Sequence, residues 1–364
     1  MHNQTQTAGL LAQIETAWNL DGLAAAGDLV DGLLAQMVDS GRQLAEILET
    51  AASLHRRLTC RVLELAEKEL ERSGPGKAPR PWCWINMGSA ARREQTLRTD
   101  QDNGLIFAGA AGPARQNEAE VFFEKLAGLA VEGLARCGFA LCPGGVMAVS
   151  EKWRGPLESW KTRIAEWMNS PDPRDTRNLS ILLDFQPVRG DRRLADSLRR
   201  QIFRSFAGSL AARHMLSCDD HTFAPPLGLL GSIVTEKSGP RKGRLNLKTA
   251  GIVHLVNGVR LLAIQNRVET TATLDRIADL ESMQVVTATE AAQLRTSFET
   301  LMYFRVRENL KKHRLGRKAD NYIDPRSLSR HERRRLKAAL AVVVRFQKRI
   351  ESDFKVPWMV FFGA

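Results

Sequence analysis

The chain has 364 residues, 43% of them hydrophobic, with 53 Lys and Arg against 41 Asp and Glu. That length and apolar content predict two or three domains with real cores, and the longest apolar run, residues 338–344, is far short of the roughly 20 residues of a membrane helix. The net charge of +12 predicts an anionic partner, whether a triphosphate, a nucleic acid or an acidic protein surface.

The five cysteines show no Cys-x-x-Cys spacing, and their odd number argues against a closed disulfide framework. The start, Met1-His2-Asn3-Gln4-Thr5, lacks the basic and small-residue pattern of a signal peptide, so a cytoplasmic location is the expectation.

Residues 1–75 read as helical. Leu44, Ile47, Leu48, Ala51, Leu54 and Leu58 keep a helical spacing with charges between them, a stripe that an antiparallel helical pair would hide. Ser73-Gly74-Pro75-Gly76-Lys77-Ala78-Pro79 then breaks the pattern with a linker composition.

A mixed region follows over 76–218. Trp82 to Ser89 reads as a strand and tight turn, Ala90 to Leu97 as a short helix, and Arg98 to Phe107 as a second strand. Val121, Phe122, Leu126, Leu129, Ala130 and Leu134 predict a helix packed on the sheet, which Gly138 stops. Trp153 to Met168 predicts another helix with Pro156 in its first turn, and Asp191 to Ser217 a longer one. Trp153 and Trp160 read as packing anchors.

Residues 219–364 are almost wholly helical in pattern. Ser329 and Glu332 fit a capping box, and Leu336, Leu340, Val343, Val344 and Ile350 line the buried side of a terminal helix. The fold class is α+β: a mixed sheet with helices, between an N-terminal helical segment and a C-terminal all-helical domain.

The chemistry concentrates at Asp100 and Asp102. Two acids one residue apart on a strand point to the same face, and a Gly88-Ser89 turn precedes them at a distance that fits one short helix. Magnesium prefers carboxylates and phosphate oxygens, and such ions bridge the attacking and leaving oxygens when a nucleotide is transferred. Gly88 lets the backbone approach a triphosphate and Ser89 offers its hydroxyl.

The run from Gly88 to Asn103 resembles the nucleotidyltransferase domain of bacterial signalling proteins, often found beside CBS or cyclic-nucleotide-binding domains. That family is similar to the N-terminal part of the PII uridylyltransferase and belongs to the polymerase-beta-like superfamily. The resemblance continues through Cys142-Pro143-Gly144-Gly145-Val146-Met147-Ala148, Trp153-Arg154-Gly155-Pro156-Leu157 and Leu182-Leu183-Asp184-Phe185-Gln186-Pro187-Val188. It reaches Pro226-Leu227-Gly228, Lys242-Gly243-Arg244 and Asp320 to Pro325 in the family's helical C-terminal region.

The resemblance implies a nucleotidyltransferase fold and transfer of UMP or AMP from a triphosphate to a protein acceptor such as a PII-like regulator. It implies Mg2+ or Mn2+ held by Asp100, Asp102 and Asp184, with Asp184 helping to activate the acceptor. Gly88, Ser89 and Arg92 would hold phosphate, and Lys242 lies in a basic loop able to reach a triphosphate. The family pattern has Gly where this chain has Ala91 and Arg where it has Gln186, so the alternative reading is a nucleotide-binding regulator that no longer catalyses. A homodimer is compatible with the sequence.

Two late basic clusters, Arg305 to Lys318 and Arg330 to Lys337, read as solvated helix faces. No zinc-finger spacing or ribonucleoprotein motif accompanies them, which argues against nucleic acid as the partner. Cys142 reads as a structural or substrate-lining thiol, and the histidines show no metal-binding spacing.

Overall fold

A computed structural model describes residues 2–219, 227–228, 231–317 and 319–354. Pro226, Lys318 and the side chain of Cys218 lie outside that description. Three helices open the chain, α1 (His2–Thr16), α2 (Leu20–Asp39) and α3 (Leu44–Ser73). Asn19 caps α2 by accepting from the Gly22 N–H. The stripe from Leu44 to Leu58 is buried throughout, against three packed helices rather than a pair.

The next elements are β1 (Trp82–Met87), the single turn α4 (Gly88–Ala91), β2 (Asn103–Phe107), α5 (Pro113–Arg136), β3 (Arg154–Pro156), α6 (Leu157–Asn169), α7 (Pro173–Leu182), β4 (Phe185–Gly190), α8 (Arg192–Gly208) and α9 (Leu210–Asp219). The strands form one mixed sheet in the order β3-β2-β1-β4. β1 runs antiparallel to both β2 and β4, and β2 runs parallel to β3. The architecture is α+β.

Alternation along the strands sets the two faces. Trp82 and Trp84 pair in register with Phe107 and Leu105, and these four join Val188 and the apolar sides of α2, α3 and α5 in one core. On the other side, Trp160 of α6 donates Nε1–H to the Leu105 carbonyl at 3.2 Å and packs on Trp153. A Cβ at Gly104 would lie 3.0 Å from the Trp160 ring, so glycine there lets the indole lie close on β2.

Several local expectations are corrected. The short helix expected over residues 90–97 is only the turn Gly88–Ala91, and the strand expected from Arg98 begins at Asn103. Arg154–Pro156 is a short strand, so the expected helix begins only at Leu157. The long helix is broken at Ser209 into α8 and α9. Val121 is 43% exposed and lies off the buried side of α5.

The chain then forms a two-stranded ribbon, β5 (Leu245–Asn246) with β6 (Tyr322–Ile323), and the helices α10 (Val253–Gln265), α11 (Thr273–Ser282), α12 (Ala288–Arg314) and α13 (Arg330–Phe354). The capping box forms as expected: the Ser329 N–H donates to Glu332 Oε2 at 2.9 Å and the Glu332 N–H to Ser329 Oγ at 3.2 Å. Part of the basic cluster on α12 is structural. Arg305 donates to Asn321 at 2.7 Å, Arg307 pairs with Glu332, and Lys312 pairs with Asp320.

The chain divides into two compact units. One runs to Glu166 and takes in Ile181–Ile202; the other takes Trp167–Ser180 and the described residues from Phe203 onward. No described helix is long and apolar enough to cross a membrane.

Within the first unit, His55 of α3 is buried edge-on to Phe139, and neither ring nitrogen has a hydrogen-bond partner among the described residues. Burial, aided by the nearby Arg98 charge, pushes its pKa down from 6.5 to about 3. The unfolded chain therefore takes up this proton first as pH falls. The stability is fully present above pH 6.5 and declines from there towards about pH 3, by at most about 1.4 kcal/mol per pH unit. His55→Leu is expected to flatten the fall in urea midpoint between neutral and acid pH, and a slope parallel to the parent's would show that the group does not titrate this way.

Candidate active site

The site is built around the end of β1. Antiparallel pairing places Asp102 beside Met87 on one edge and Asp184 beside Gly88 on the other. The Met87 N–H donates to the Asp102 carbonyl at 2.8 Å and the Gly88 N–H to the Asp184 carbonyl at 3.0 Å. Sheet topology thus brings positions 102 and 184 to the two flanks of one turn.

Gly88 has φ +58°, and a Cβ there would lie 2.7 Å from Asp102 Oδ2. The backbone reaches the carboxylate only because no side chain intervenes. Gly88→Ala is expected to cost about 1–2 kcal/mol of backbone strain and to displace Asp102. Comparing urea midpoints with Mn2+ titrations checks this, since strain alone would lower the midpoint and leave cation binding intact.

Asp100 and Asp102 lie in the extended segment entering β2, just outside the strand itself. Asp100 is exposed, and its carboxylate has no partner among the described residues; Asp102 is half-buried. The intervening Gln101 and the following Asn103 are buried and form a carboxamide ladder. Gln101 donates to the carbonyls of Val131 and Phe139, each at 3.1 Å, and accepts from Asn103 Nδ2 at 3.3 Å. Asn103 Oδ1 accepts from the Ala148 N–H at 2.8 Å. Alternation thus puts acids on one side of the segment and a fixed polar rail on the other.

Asp184 is fully buried and bound to Arg92, whose Nη1 donates to Asp184 Oδ2 at 2.7 Å; Nε donates to the buried Glu94 at 2.7 Å. Burial opposes the Arg92 charge, but the two carboxylates outweigh it and raise the guanidinium pKa. A buried ion is tolerable only when paired in this way.

The loop from Cys142 to Ala148 lies beside Asp102 and Asn103. The Asn103 N–H donates to the Val146 carbonyl at 3.1 Å. Burial pushes the Cys142 thiol up, and the Asp102 carboxylate beside it adds to the rise. An un-ionised thiol is a lining group rather than a nucleophile.

Asp100 and Asp102 line a narrow crevice of about 20 Å³ with Asn86, Ala90 and Gln95. Asn86 and Ala90 also border a cleft of about 630 Å³, whose lining includes Arg56, Arg93, Gln186, Pro187 and Val188. That volume lies within the usual range for small-molecule sites. Lys242 belongs to the second compact unit, in the turn after Gly239–Arg241, and is exposed.

The donor set at Asp100 and Asp102 fits a hard cation. Two carboxylates, one of them without a partner among the described residues, leave room for the water and phosphate ligands that Mg2+ requires. No group of three or more His, Cys, Asp or Glu side chains able to hold a metal occurs among the described residues, and Asp184 is engaged by Arg92. Ala91 is fully buried.

Several contributors had no conspicuous sequence signal. Glu94, Arg98 and Asn86 carry no motif. Only the polar run Gln101 to Asn103 signals a polar lining on both sides of the segment.

Residues 29–174 match a family model described as "Putative nucleotidyltransferase DUF294", and residues 210–354 match one described as "Putative nucleotidyltransferase substrate binding domain". No curated protein matches the chain.

Proposed function

Because the chain belongs to this nucleotidyltransferase family, its transferase domain followed by a substrate-binding domain, we propose that it moves UMP or AMP from a nucleoside triphosphate to a protein hydroxyl. The acceptor oxygen attacks the α-phosphorus, the bond to the bridging β-phosphate oxygen breaks, and pyrophosphate leaves. A PII-like signalling protein is the acceptor that the resemblance favours.

The observation that carries this reading is that Asp100 and Asp102 share one crevice, with Asp102 set against the bare backbone of Gly88. Those two carboxylates would hold Mg2+ or Mn2+, which when bound would supply Lewis-acid neutralisation of the charge that develops on phosphate. Gly88 and Ser89 hold phosphate at the turn. The resemblance further favours Arg92 as a phosphate-holding group and Asp184 as the carboxylate that helps activate the acceptor; here the two are paired with each other. The adjoining cleft, which shares Asn86 and Ala90 with the crevice, has room for the nucleoside.

The test incubates the chain with each α-labelled triphosphate and magnesium or manganese in cell extract, alongside Asp100→Ala combined with Asp102→Ala. Label on a protein that disappears with the double variant identifies donor and acceptor together. Equal labelling by both proteins removes the enzymatic reading, and triphosphate binding without pyrophosphate release identifies a nucleotide-binding regulator instead.

A further inference from the structure

Arg98, two residues before Asp100, is anchored in a socket built by other elements. Its Nε and Nη2 donate to Asp31 Oδ2 of α2 at 3.1 and 2.9 Å. Nη2 also donates to Asp28 Oδ1 at 2.5 Å, and Nη1 to the Cys137 carbonyl at 2.8 Å. The side chains of Arg98 and Asp31 are only 9% and 6% exposed.

The socket is closed by sterics as well as by charge. A Cβ at Gly27 of α2 would lie 2.6 Å from Arg98 Nη1, and one at Gly138 would lie 2.7 Å from the same nitrogen. Glycine at both positions is what admits the guanidinium.

The anchor acts on a segment with little regular structure of its own. Between α4 and β2 the backbone is held by Ala140, whose N–H donates to the Thr99 carbonyl at 3.1 Å and whose carbonyl accepts from the Gln101 N–H at 2.8 Å. Asp100 is therefore held twice, by the Ala140 bridge that spans it from Thr99 to Gln101 and by the Arg98 socket two residues before it. Cation binding by two carboxylates demands placement to within about 0.5 Å, which a free loop does not provide. A buried ion pair is a poor source of stability compared with apolar packing, so its geometry is the better reason for its presence here.

We propose that Arg98 is a positioning residue for the Asp100 and Asp102 pair, and that α2, through Asp31, is a working part of the cation site. The inference rests on the reading that those carboxylates bind the cation. The rigid, bidentate fork of arginine fixes both distance and angle, whereas the flexible ammonium of lysine fixes neither.

The test measures binding of Mn2+ alone to the full chain by electron paramagnetic resonance, with urea midpoints recorded in parallel. Arg98→Ala and Arg98→Lys are expected to weaken Mn2+ binding about 10- to 100-fold. Guanidinium ion, added far below denaturing concentrations, is expected to restore binding to Arg98→Ala by refilling the socket. Leu34→Ala, a core truncation on the same helix, is expected to lower the urea midpoint without changing Mn2+ affinity.

Parent-like Mn2+ affinity in both Arg98 variants overturns the proposal. So does an equal loss of affinity in Leu34→Ala, which would reduce the effect to general destabilisation. Parent-like affinity in the Asp100→Ala plus Asp102→Ala protein overturns instead the assignment of the cation to those carboxylates.

Discussion

Asp102→Asn is expected to lower nucleotidyl transfer by roughly a thousandfold, equivalent to about 4 kcal/mol of transition-state stabilisation. The substitution keeps the shape of the side chain beside Gly88 and removes its charge. If Asp102 holds the cation as proposed, loss of this carboxylate would weaken both cation binding and the neutralisation of charge on the leaving pyrophosphate, each worth several kcal/mol in metal-assisted transfer. A second readout comes from Cys142. Burial and the Asp102 carboxylate raise its thiol pKa together, so the amide is expected to lower that value and quicken alkylation at this cysteine. Quicker alkylation with undiminished transfer would show that Asp102 lies where the structure puts it but does not serve the reaction.

Gly190→Ala is expected to destabilise the first unit by about 4 kcal/mol or more, enough to unfold a marginal domain. Gly190 ends β4 with φ +97°, and a Cβ there would penetrate the Trp82 carbonyl oxygen and lie 3.1 Å from the Cys83 Cα. Those atoms belong to backbone and cannot swing aside. The Asp191 N–H donates to the same Trp82 carbonyl at 2.6 Å, and Gly190 is paired with Cys83 across the ladder. Gly128→Ala on α5, where nothing lies within 4 Å of the new methyl, is expected to stabilise instead by about 0.5–1 kcal/mol. Urea denaturation of the two variants beside the parent checks both signs at once.

The sequence exposes these sites unequally, for physical reasons. Leu44 to Leu58 repeats at the helical period over several turns, so the burial of α3 is readable without coordinates. Gly88, Asp100 and Asp102 form a compact string whose spacing is readable, and the fold brings Asp102 against Gly88. Arg154–Pro156 is the opposite case: three residues are too few to show any period, and their strand exists only because β2 offers an edge to pair with. The same holds for the Arg98 socket. Asp31 and Arg98 lie far apart along the chain, and a lone acid on an otherwise apolar helix face looks like any solvated residue until the fold brings the arginine to it. Asp184 stands in an apolar run and is therefore conspicuous, whereas its partner Arg92 is visible only as one member of a charged string.

The division of the first unit into two stretches of sequence bears on how the protein is made. β1 is an inner strand, with β2 on one side and β4 on the other, yet β4 is encoded only after the segment given over to the second unit. During synthesis from the N-terminus, β1 and β2 leave the ribosome well before β4, so the far edge of β1 is bare until translation passes Gly190. An open strand edge invites pairing with other nascent chains. Slowing the ribosome between β2 and β4 is therefore expected to increase aggregation, and a chaperone that covers strand edges is expected to counter it.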